Sequence, residues 1–254
     1  MICEIIAGGC ENPLAIFRQP AITIPMSNAR THATAVVKAL QDAGFEAVFA
    51  GGCVRDRLLG LEPNDFDIAT SATPDEVEAL FESTIPVGKA FGVVIVVVES
   101  IEFEVATFRT DGEYTDGRRP DAVEFAGIEL DANRRDFTIN ALFENPVTGE
   151  VLDFVGGVED LYNGVLRPVG NAFDRFTEDA LRILRLARFA ARFNATVTED
   201  AFNAAVLLAG TVRKVSAERV GDELAKILTG PNPEVALNVL RNSGVLEVVL
   251  PEVC

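Results

Sequence analysis

The pattern of apolar residues changes once along this chain, at about Thr177, and this change constrains the fold more than any other feature. Upstream, short β-branched runs alternate with turns and single helices, whereas downstream helix follows helix. Apolar residues recur every two positions in strands and about every 3.6 positions in helices. We therefore predict an α+β domain with a mixed or antiparallel sheet over residues 28–172, followed by an all-helical part over residues 173–254. Residues 1–27, interrupted by prolines, are predicted to be an extension.

Individual elements follow from local signals. Thr73, Pro74 and Glu76 supply an N-cap, a first-turn proline and a capping box for a helix that runs through Phe81. The other elements predicted upstream are a helix over 28–43, strands over 45–50 and 66–68, a helix that begins near Cys53, and a hairpin of strands 93–98 and 101–108 that turns at Glu99 and Ser100. The helices predicted downstream cover 177–193, 199–209, 216–228 and 233–243.

Composition excludes some classes of protein. The chain is 48% apolar and 24% charged, which is ordinary for a globular protein. No apolar run reaches the roughly 18 residues of a membrane span, and no basic residue precedes Arg18 as it would in a secretory signal. The four cysteines form neither a CxxC pair nor a cluster with histidine, so we expect no disulfide framework, no zinc site and a cytoplasmic location. The lone His32 is expected to be structural.

The net charge of −17 is unevenly distributed. Residues 1–174 contain 12 basic and 29 acidic side chains, whereas residues 175–254 contain 10 of each. A strongly acidic protein is an unusual partner for nucleic acid. If this chain binds RNA or a triphosphate, it must therefore use metal ions and locally placed arginines.

Five residues of the α+β domain suggest a phosphate and metal site. Gly51 and Gly52, between a strand and a helix, would let backbone N–H groups approach phosphate oxygens. Asp65 and Asp67 are two positions apart in an extended segment, so both carboxylates point to one face. Such oxygen ligands suit Mg²⁺, and two ions would stabilise the attacking and leaving oxygens of an in-line displacement. Glu104, within the second strand of the hairpin, is the candidate third acid.

Read together, the strings GGCVRDRLLG (51–60) and DFDIAT (65–70) resemble the signature of one nucleotidyltransferase family. This is the family of CCA-adding enzymes and poly(A) polymerases, of the bacterial and eukaryotic type, within the polymerase-β-like superfamily. Later motifs of the family are resembled in order by the segments 103–109 with the loop to 120, 134–142, 178–192 and 218–228. The resemblance thus covers about residues 48–228.

The resemblance implies a polymerase-β-like nucleotidyltransferase head followed by a helical neck and the beginning of a helical body. It implies that Asp65, Asp67 and Glu104 are the catalytic acids, with Asp65 and Asp67 as ligands of two Mg²⁺ ions. The residues implied to bind the nucleotide are Gly51, Gly52, Arg55, Arg135, Asp136, Asn140, Asp179, Arg182, Arg185 and Arg188. The implied flexible loop includes Asp111, Gly112, Tyr114, Asp116, Arg118 and Arg119.

Two of these residues suggest how bases are chosen without a template. If Asp179 and Arg182 are three apart on one helix, they lie side by side. Cytosine and adenine present an amino donor next to an unprotonated ring nitrogen, whereas uracil and guanine present a carbonyl next to a ring N–H. One carboxylate beside one guanidinium therefore matches C and A and opposes U and G. The family is described as reading the incoming base at these motif positions, with the Arg135–Asp136 pair as a neighbouring helper.

The reading we favour is addition of C and A, from CTP and ATP, to the 3′ end of tRNA. A poly(A) polymerase and an A-adding specialist remain open, and the loop 111–119 counts against a CC-only enzyme. A non-catalytic RNA-binding module is disfavoured by the three acids, and a small-molecule nucleotidyltransferase would not need arginines at 175, 182, 185, 188 and 192. Family members usually continue for a hundred or more residues, so we expect either a truncated chain or a shortened natural form. The oligomeric state stays open.

Overall fold

A computed structural model describes residues 28–111 and 123–253. Its strands are β1 Ala47–Ala50, β2 Ile68–Thr70, β3 Thr84–Gly88, β4 Val93–Val98, β5 Ile101–Thr107, β6 Arg109–Asp111, β7 Val123–Phe125, β8 Leu142–Glu144, β9 Val151–Asp153, β10 Val165–Leu166 and β11 Thr196–Val197. Seven of them form one sheet in the order β3-β4-β5-β2-β1-β8-β9, in which β2 and β5 are parallel and the other neighbours antiparallel. The pairs β6-β7 and β10-β11 are separate small sheets. The predicted mixed sheet is confirmed.

The described helices are α1 Asn28–Asp42, α2 Gly52–Leu58, α3 Pro74–Leu80, α4 Ile128–Asn133, α5 Gly157–Asn163, α6 Ala172–Glu178, α7 Leu181–Phe193, α8 Glu199–Leu208, α9 Ala217–Thr229, α10 Pro233–Asn242 and α11 Leu246–Val249. Short 3₁₀ turns lie at Lys89–Phe91, Thr138–Asn140, Ala209–Lys214 and Pro251–Val253. Among these described helices, none is long and apolar enough to cross a membrane.

The β4–β5 hairpin carries the third candidate acid and follows directly from its sequence. Glu99 and Ser100 have φ angles of 48° and 68°, which a tight hairpin turn with the right-handed strand twist requires. In β5 the side chains of Phe103 and Val105 are buried, while Glu104 between them faces the opposite side of the sheet. The predicted hairpin and its alternation are thus confirmed.

Two local features fix the approach of helices to the sheet. The side chain of Glu76 accepts a hydrogen bond from the Thr73 backbone N–H at 2.8 Å, which confirms the predicted capping box of α3. At the start of α5, a Cβ added to Gly157 would lie 2.1 Å from the carbonyl oxygen of Thr138. Only glycine allows this approach of two backbones, which fixes α5 against the 3₁₀ turn Thr138–Asn140.

The helical half is organised around α7. This helix buries apolar side chains on most of its surface and packs against both α9 and α10. One continuous core extends from Phe49 in β1, through Leu184 in α7, to Leu240 in α10. The sheet and the helices therefore hold each other in place across a shared core, and the division into domains at residue 172 stays a prediction.

Three element predictions need correction. The strand expected over 66–68 begins only at Ile68, so Asp65 and Asp67 lie in the segment that leads into β2. The helix expected over 177–193 is broken, because Asp179 ends α6 with the extended angles φ −144° and ψ 103° before α7 begins at Leu181. The strand predicted over 45–50 begins at Ala47. The other predicted helices agree with the structure to within about two residues.

Candidate active site

One cleft brings together nearly all the candidate residues. It has a volume of about 570 Å³ and lies between the sheet and the arginine-bearing face of α7. The predicted site residues that line it are Gly51, Gly52, Arg55, Asp65, Asp67, Glu104, Arg135, Asp136, Asn140, Asp179, Arg182, Arg185 and Arg188. These residues come from segments far apart in the sequence, so the fold assembles the site that the motifs predicted.

The glycine pair forms the floor of the cleft where β1 passes into α2. Gly51 has a φ angle of 71°, a backbone conformation that residues with a side chain rarely adopt. An added Cβ would lie 3.0 Å from Nη1 of Arg135. The N–H of Gly51 donates to the carbonyl of Leu142, which anchors the turn to β8. Glycine is therefore needed here both for the backbone conformation and for the close approach of an arginine.

The three candidate acids face one another across β2 and β5. One side of Asp67 is open to the cleft, and the protein surrounds its other sides. This partial burial raises the pKa of its carboxyl to about 6, and the nearby carboxylates of Glu104 and Asp65 contribute to the rise. No group of three acidic, histidine or cysteine side chains within the described ranges is close enough to bind a metal ion by itself. Two carboxylates that repel each other still form a suitable donor set, since Mg²⁺ is commonly held by one or two carboxylates together with substrate phosphates.

The opposite wall is formed by arginines of α7, each bound to a carboxylate. Arg185 donates from Nε to Asp136 at 2.7 Å. Arg188 forms an ion pair with Glu223 of α9, and Arg192 binds Asp56 of α2 at 2.8 Å. The three carboxylates are buried or nearly so, whereas the three arginines are partly exposed. The arginines are therefore held from behind and face the cleft.

The Thr138–Asn140 turn links the two walls. Asp136 accepts hydrogen bonds from the backbone N–H of Phe137 at 2.8 Å and from the Asn140 amide at 3.0 Å, besides that from Arg185. Burial alone would raise the pKa of this carboxyl, but Arg185 and the Asn140 amide lower it below its ordinary value. The side-chain oxygen Oδ1 of Asn140 in turn accepts a hydrogen bond from the buried Arg55. Asn140 thereby connects Arg55 of α2 to Asp136, the carboxylate that binds Arg185 of α7.

A second buried carboxylate, Asp131 of α4, organises the neighbouring arginines. It forms ion pairs with Arg134 at 2.7 Å and Arg135 at 2.9 Å. Burial would raise the pKa of Asp131, but the two arginines lower it. The Arg135 guanidinium carbon also lies 4.7 Å from the ring centre of Phe143, within cation–π range. Arg135 and Asp136 are thus bound to different partners, Asp131 and Arg185, and their expected role as helpers in reading the base stays a prediction.

The Asp179–Arg182 arrangement also differs from the prediction. The two do not share a helix, because the chain turns between α6 and α7 at Asp179. Asp179 binds Arg219 of α9 at 2.7 Å, and Arg182 binds Glu178 at 2.6 Å. Both still line the cleft. The expected side-by-side placement on one helix was wrong, because a helix-like sequence pattern does not reveal a two-residue break.

The predicted loop falls mostly outside the described residues. Gly112, Tyr114, Asp116, Arg118 and Arg119 lie in the gap between 111 and 123. Asp111 is the last residue of β6, which pairs with β7, so the loop starts and ends at this two-stranded sheet. The role assigned to the loop stays a prediction.

Some lining residues were not assigned from the sequence. They are Arg109, Arg134, Phe189, Arg192 and Arg219. Arg219 lies in the segment 218–228, which resembles a family motif, but the sequence pattern alone assigns no role to this arginine. Arg192 is part of the arginine-bearing face of α7. Arg175 lies outside the cleft lining and binds Glu178 at 2.5 Å. Within the part of the chain that the structure describes, nine arginines line this cleft.

A mixed sheet with two aspartates just before its central strand β2, facing arginines of an adjoining helical region, is the fold expected of a polymerase-β-like head and neck. Residues 47–167 match the family described as "Poly A polymerase head domain". Residues 194–254 match the one described as "Probable RNA and SrmB- binding site of polymerase A". The chain belongs to the family of CCA-adding enzymes and poly(A) polymerases, of the bacterial type.

Individual relatives agree with this assignment. The chain is 45% identical to a CCA-adding enzyme of Leuconostoc mesenteroides over 212 residues, which is 83% of this chain and 53% of that protein. It is 44% identical to one of Geobacillus thermodenitrificans over 220 residues, covering 86% of this chain and 54% of the relative.

Solved structures show the same likeness. A Bacillus stearothermophilus CCA-adding enzyme in complex with CTP superposes with a TM-score of 0.79 at 38% identity, covering 87% of this chain and 53% of that one. A Thermotoga maritima CCA-adding enzyme complexed with tRNA superposes with a TM-score of 0.74 at 25% identity, covering 94% and 55%. The chain thus spans about half the length of the relatives it matches.

Proposed function

We propose that this chain is the catalytic part of a template-independent enzyme that adds C and A, from CTP and ATP, to the 3′ end of tRNA. The observation that carries the proposal is the single cleft in which Asp65 and Asp67 face the arginines of α7. Its support from outside the molecule is the similarity to CCA-adding enzymes, at 44–45% identity to two relatives and at 38%, 27% and 25% identity to structures solved with CTP, ATP and tRNA.

The proposed reaction is an in-line displacement at the α-phosphorus of the nucleotide. The 3′ oxygen of the RNA forms a bond to this phosphorus while the bond to the bridging oxygen breaks and pyrophosphate leaves. The proton of the attacking hydroxyl goes to a carboxylate, for which we assign Glu104, the acid of β5 that faces the cleft. Arg185 and Arg188 would bind the phosphates, because their partners Asp136 and Glu223 hold them from behind.

We assign Asp65 and Asp67 as ligands of two Mg²⁺ ions. The pKa of Asp67 is raised first by the protein packed around it and then by the carboxylates of Glu104 and Asp65, whose repulsion a divalent cation would relieve. When bound, the ions would offset the negative charge that develops on the entering and leaving oxygens. The chain itself holds both carboxylates just before the start of β2, next to the glycine turn.

Base choice would rest on Asp179 and Arg182. In the structure each is bound to a separate partner, Arg219 and Glu178, and so they do not neutralise each other. A carboxylate acceptor and a guanidinium donor therefore remain at the cleft to match the edges of cytosine and adenine. A site with buried polar groups rejects a base that leaves them unpaired.

Two further assignments from the sequence are kept as proposals. The head is assigned to residues 28–172 and the helical neck to residues 173–254, which agrees with Asn171 capping α6 at the start of the helical half. A cytoplasmic location is proposed from the scattered cysteines, of which Cys53 is buried and free.

The test is to offer the protein a tRNA lacking its 3′ CCA, with Mg²⁺ and each of the four nucleotides alone and in combination, and to sequence the products. We expect C, C and A to be added and then to stop. A long A tail would instead indicate a poly(A) polymerase, and A added only to tRNA ending in CC would indicate an A-adding specialist. No incorporation of any nucleotide would contradict the proposal.

A further inference from the structure

Two phenylalanine rings on α7 lie among the arginines of the cleft. Phe189 and Phe193 stack with ring centres 6.0 Å apart and an angle of 11° between their planes. Phe189 is only 4% exposed, lines the cleft, and is braced edge-on by Phe137 at 5.7 Å. Phe189 is therefore packed against the core on one side and lines the cleft on the other, while the partly exposed Phe193 stacks behind it.

Four arginines surround this pair of rings. The guanidinium carbons of Arg188, Arg185 and Arg55 lie 4.1, 5.2 and 5.5 Å from the centre of the Phe189 ring. Those of Arg55 and Arg192 lie 4.6 and 5.2 Å from the centre of Phe193. All five distances fall within the roughly 6 Å over which a ring face attracts a cation. The rings thus contact arginines of both α2 and α7.

These arginines repel one another. Burial is the largest cause of the lowered pKa of Arg55 and of Arg188, and the carboxylate partners oppose it. The charge of Arg192 lowers the pKa of Arg55 further, and the charge of Arg185 lowers that of Arg188. A carboxylate can hold such an arginine in place, but it also cancels its charge. An aromatic face attracts a guanidinium without a net charge and uses none of its hydrogen-bond donors. Each of the four arginines also has a carboxylate partner, and the rings add attraction for the guanidinium groups without adding negative charge to the cleft.

We propose that Phe189 and Phe193 are positioning residues that hold the arginines of this cleft through their ring faces and so determine its affinity for a triphosphate. This inference rests on the proposed function, in which the cleft binds a nucleoside triphosphate. The rings do not contact the reacting atoms in this scheme. They act through Arg55, Arg185, Arg188 and Arg192, and their effect grows with the number of phosphates that the ligand carries.

The test replaces Phe189 by Leu, which keeps an apolar side chain but removes the ring face. Binding of CTP and of CMP is measured by calorimetry, and the steady-state kinetics of nucleotide addition are measured on the same preparations. We expect CTP to bind about tenfold more weakly, equivalent to ~1.4 kcal/mol, and CMP less than about threefold more weakly. KM for CTP should rise by a similar factor, while kcat at saturating CTP changes by less than about threefold.

Two companion variants separate positioning from packing. Phe189→Tyr keeps a ring and should restore most of the CTP affinity. Phe176→Leu removes an equally buried ring of α6 that is not part of the cleft lining, so it should lower the melting temperature without a preferential loss of CTP affinity. If Phe189→Leu proves unstable, Phe193→Leu, whose side chain is partly exposed, provides the same comparison.

Equal losses for CTP and CMP would overturn the inference, and so would an unchanged CTP affinity in Phe189→Leu or the same selective loss in Phe176→Leu. Its failure is distinguishable from that of the proposed function. If Phe189→Leu selectively loses CTP affinity but the wild-type protein adds no nucleotide to RNA, the result would contradict the proposed function alone. A wild-type protein that adds nucleotides and whose CTP affinity ignores the rings would contradict only the inference.

Discussion

Asp67 and Asp136 lie in the same cleft, yet their carboxyl groups are shifted in opposite directions. The pKa of Asp67 is raised to about 6 by burial and by the carboxylates of Glu104 and Asp65. The pKa of Asp136 is lowered, because Arg185 and the Asn140 amide outweigh the effect of burial. The first environment suits a residue that waits for a cation, and the second suits one that already has its counter-charge.

Replacement of Asp67 by Asn should abolish nucleotide addition, with a loss of at least about a thousandfold in kcat, because a metal ligand is removed. The fold should survive, since the change also relieves repulsion between carboxylates. Single-turnover kinetics and a thermal melt on the same preparation measure both effects. Glu102→Gln is the matched control, because Glu102 lies on the same strand but is not part of the cleft lining. Full activity of the Asp67 variant would contradict the metal assignment.

Replacement of Asp136 by Asn should destabilise the protein at neutral pH by about 1–3 kcal/mol, because the partly exposed Arg185 loses its charged partner. A carboxyl with a lowered folded-state pKa contributes stability above its unfolded pKa of about 4, and that stability is lost as the pH falls further. The difference between wild type and variant should therefore shrink between about pH 5 and pH 2. Urea unfolding at several pH values measures it, and a difference independent of pH would show that the carboxylate charge is not involved.

At the scale of elements, the break between α6 and α7 has the largest effect on the site. Arg182 lies in the first turn of α7, and its backbone N–H donates to the Asp179 carbonyl at 3.0 Å. Its guanidinium turns back to Glu178 at the end of α6. The break therefore presents a carboxylate and a guanidinium at a corner, where an incoming base can meet both.

Arg182→Ala should relax base selection more than it slows addition. The variant loses the donor to the ring nitrogen of C and A, so discrimination against UTP should fall by about 10- to 100-fold. The comparison is kcat/KM for the four nucleotides on one trimmed tRNA. Arg175→Ala is the control, because Arg175 also binds Glu178 but lies outside the cleft lining. A parallel decline for all four nucleotides in Arg182→Ala would mean that this residue does not read the base.

Gly157→Ala should destabilise the fold by about 3 kcal/mol or more, because the added Cβ would overlap the Thr138 carbonyl oxygen and force two backbones apart. Gly210→Ala is the matched control, since nothing lies within 4 Å of the position its Cβ would take. That change should be neutral or slightly stabilising. Chemical denaturation of both variants provides the comparison, and equal stabilities would refute the tight contact at α5.

Most elements were predictable because their signals are local. The capping box at Thr73, the hairpin turn at Glu99 and the glycine turn at Gly51 are each specified by residues within a few positions. The partners of the site arginines were not predictable, because Arg188 meets Glu223 and Arg192 meets Asp56 only after the helices have packed. The motifs thus indicated which residues meet in the cleft, whereas the pairing among them depended on tertiary contacts.

At the scale of the whole molecule, the positive cleft is set in a strongly acidic chain. The net charge is −17, yet nine arginines and five acids line the cleft. Polyanions should therefore be repelled by much of the surface and attracted at one place. At physiological salt, the attraction between the cleft arginines and a polyanion acts only over short distances, because salt screens charges beyond about 8–10 Å.

Binding of tRNA by this chain should accordingly be weak and strongly dependent on salt. With about three or four phosphates contacted, the affinity should fall by roughly tenfold or more between 50 and 200 mM salt. Filter binding or fluorescence anisotropy over that range measures the slope. A shallow slope with tight binding at 150 mM would show that non-ionic contacts of the helical half dominate.

The buried carboxylates behind the cleft arginines also bear on how such a site could change over generations. Losing Arg188 alone would leave Glu223 buried without its ion-pair partner, at a cost of about 3–5 kcal/mol, whereas Asp56 would keep Arg55 if Arg192 were lost. A descendant that altered its ligand by single steps would lose stability before it gained a new preference. We therefore expect the two residues of such an ion pair, which belong to different helices, to be substituted together.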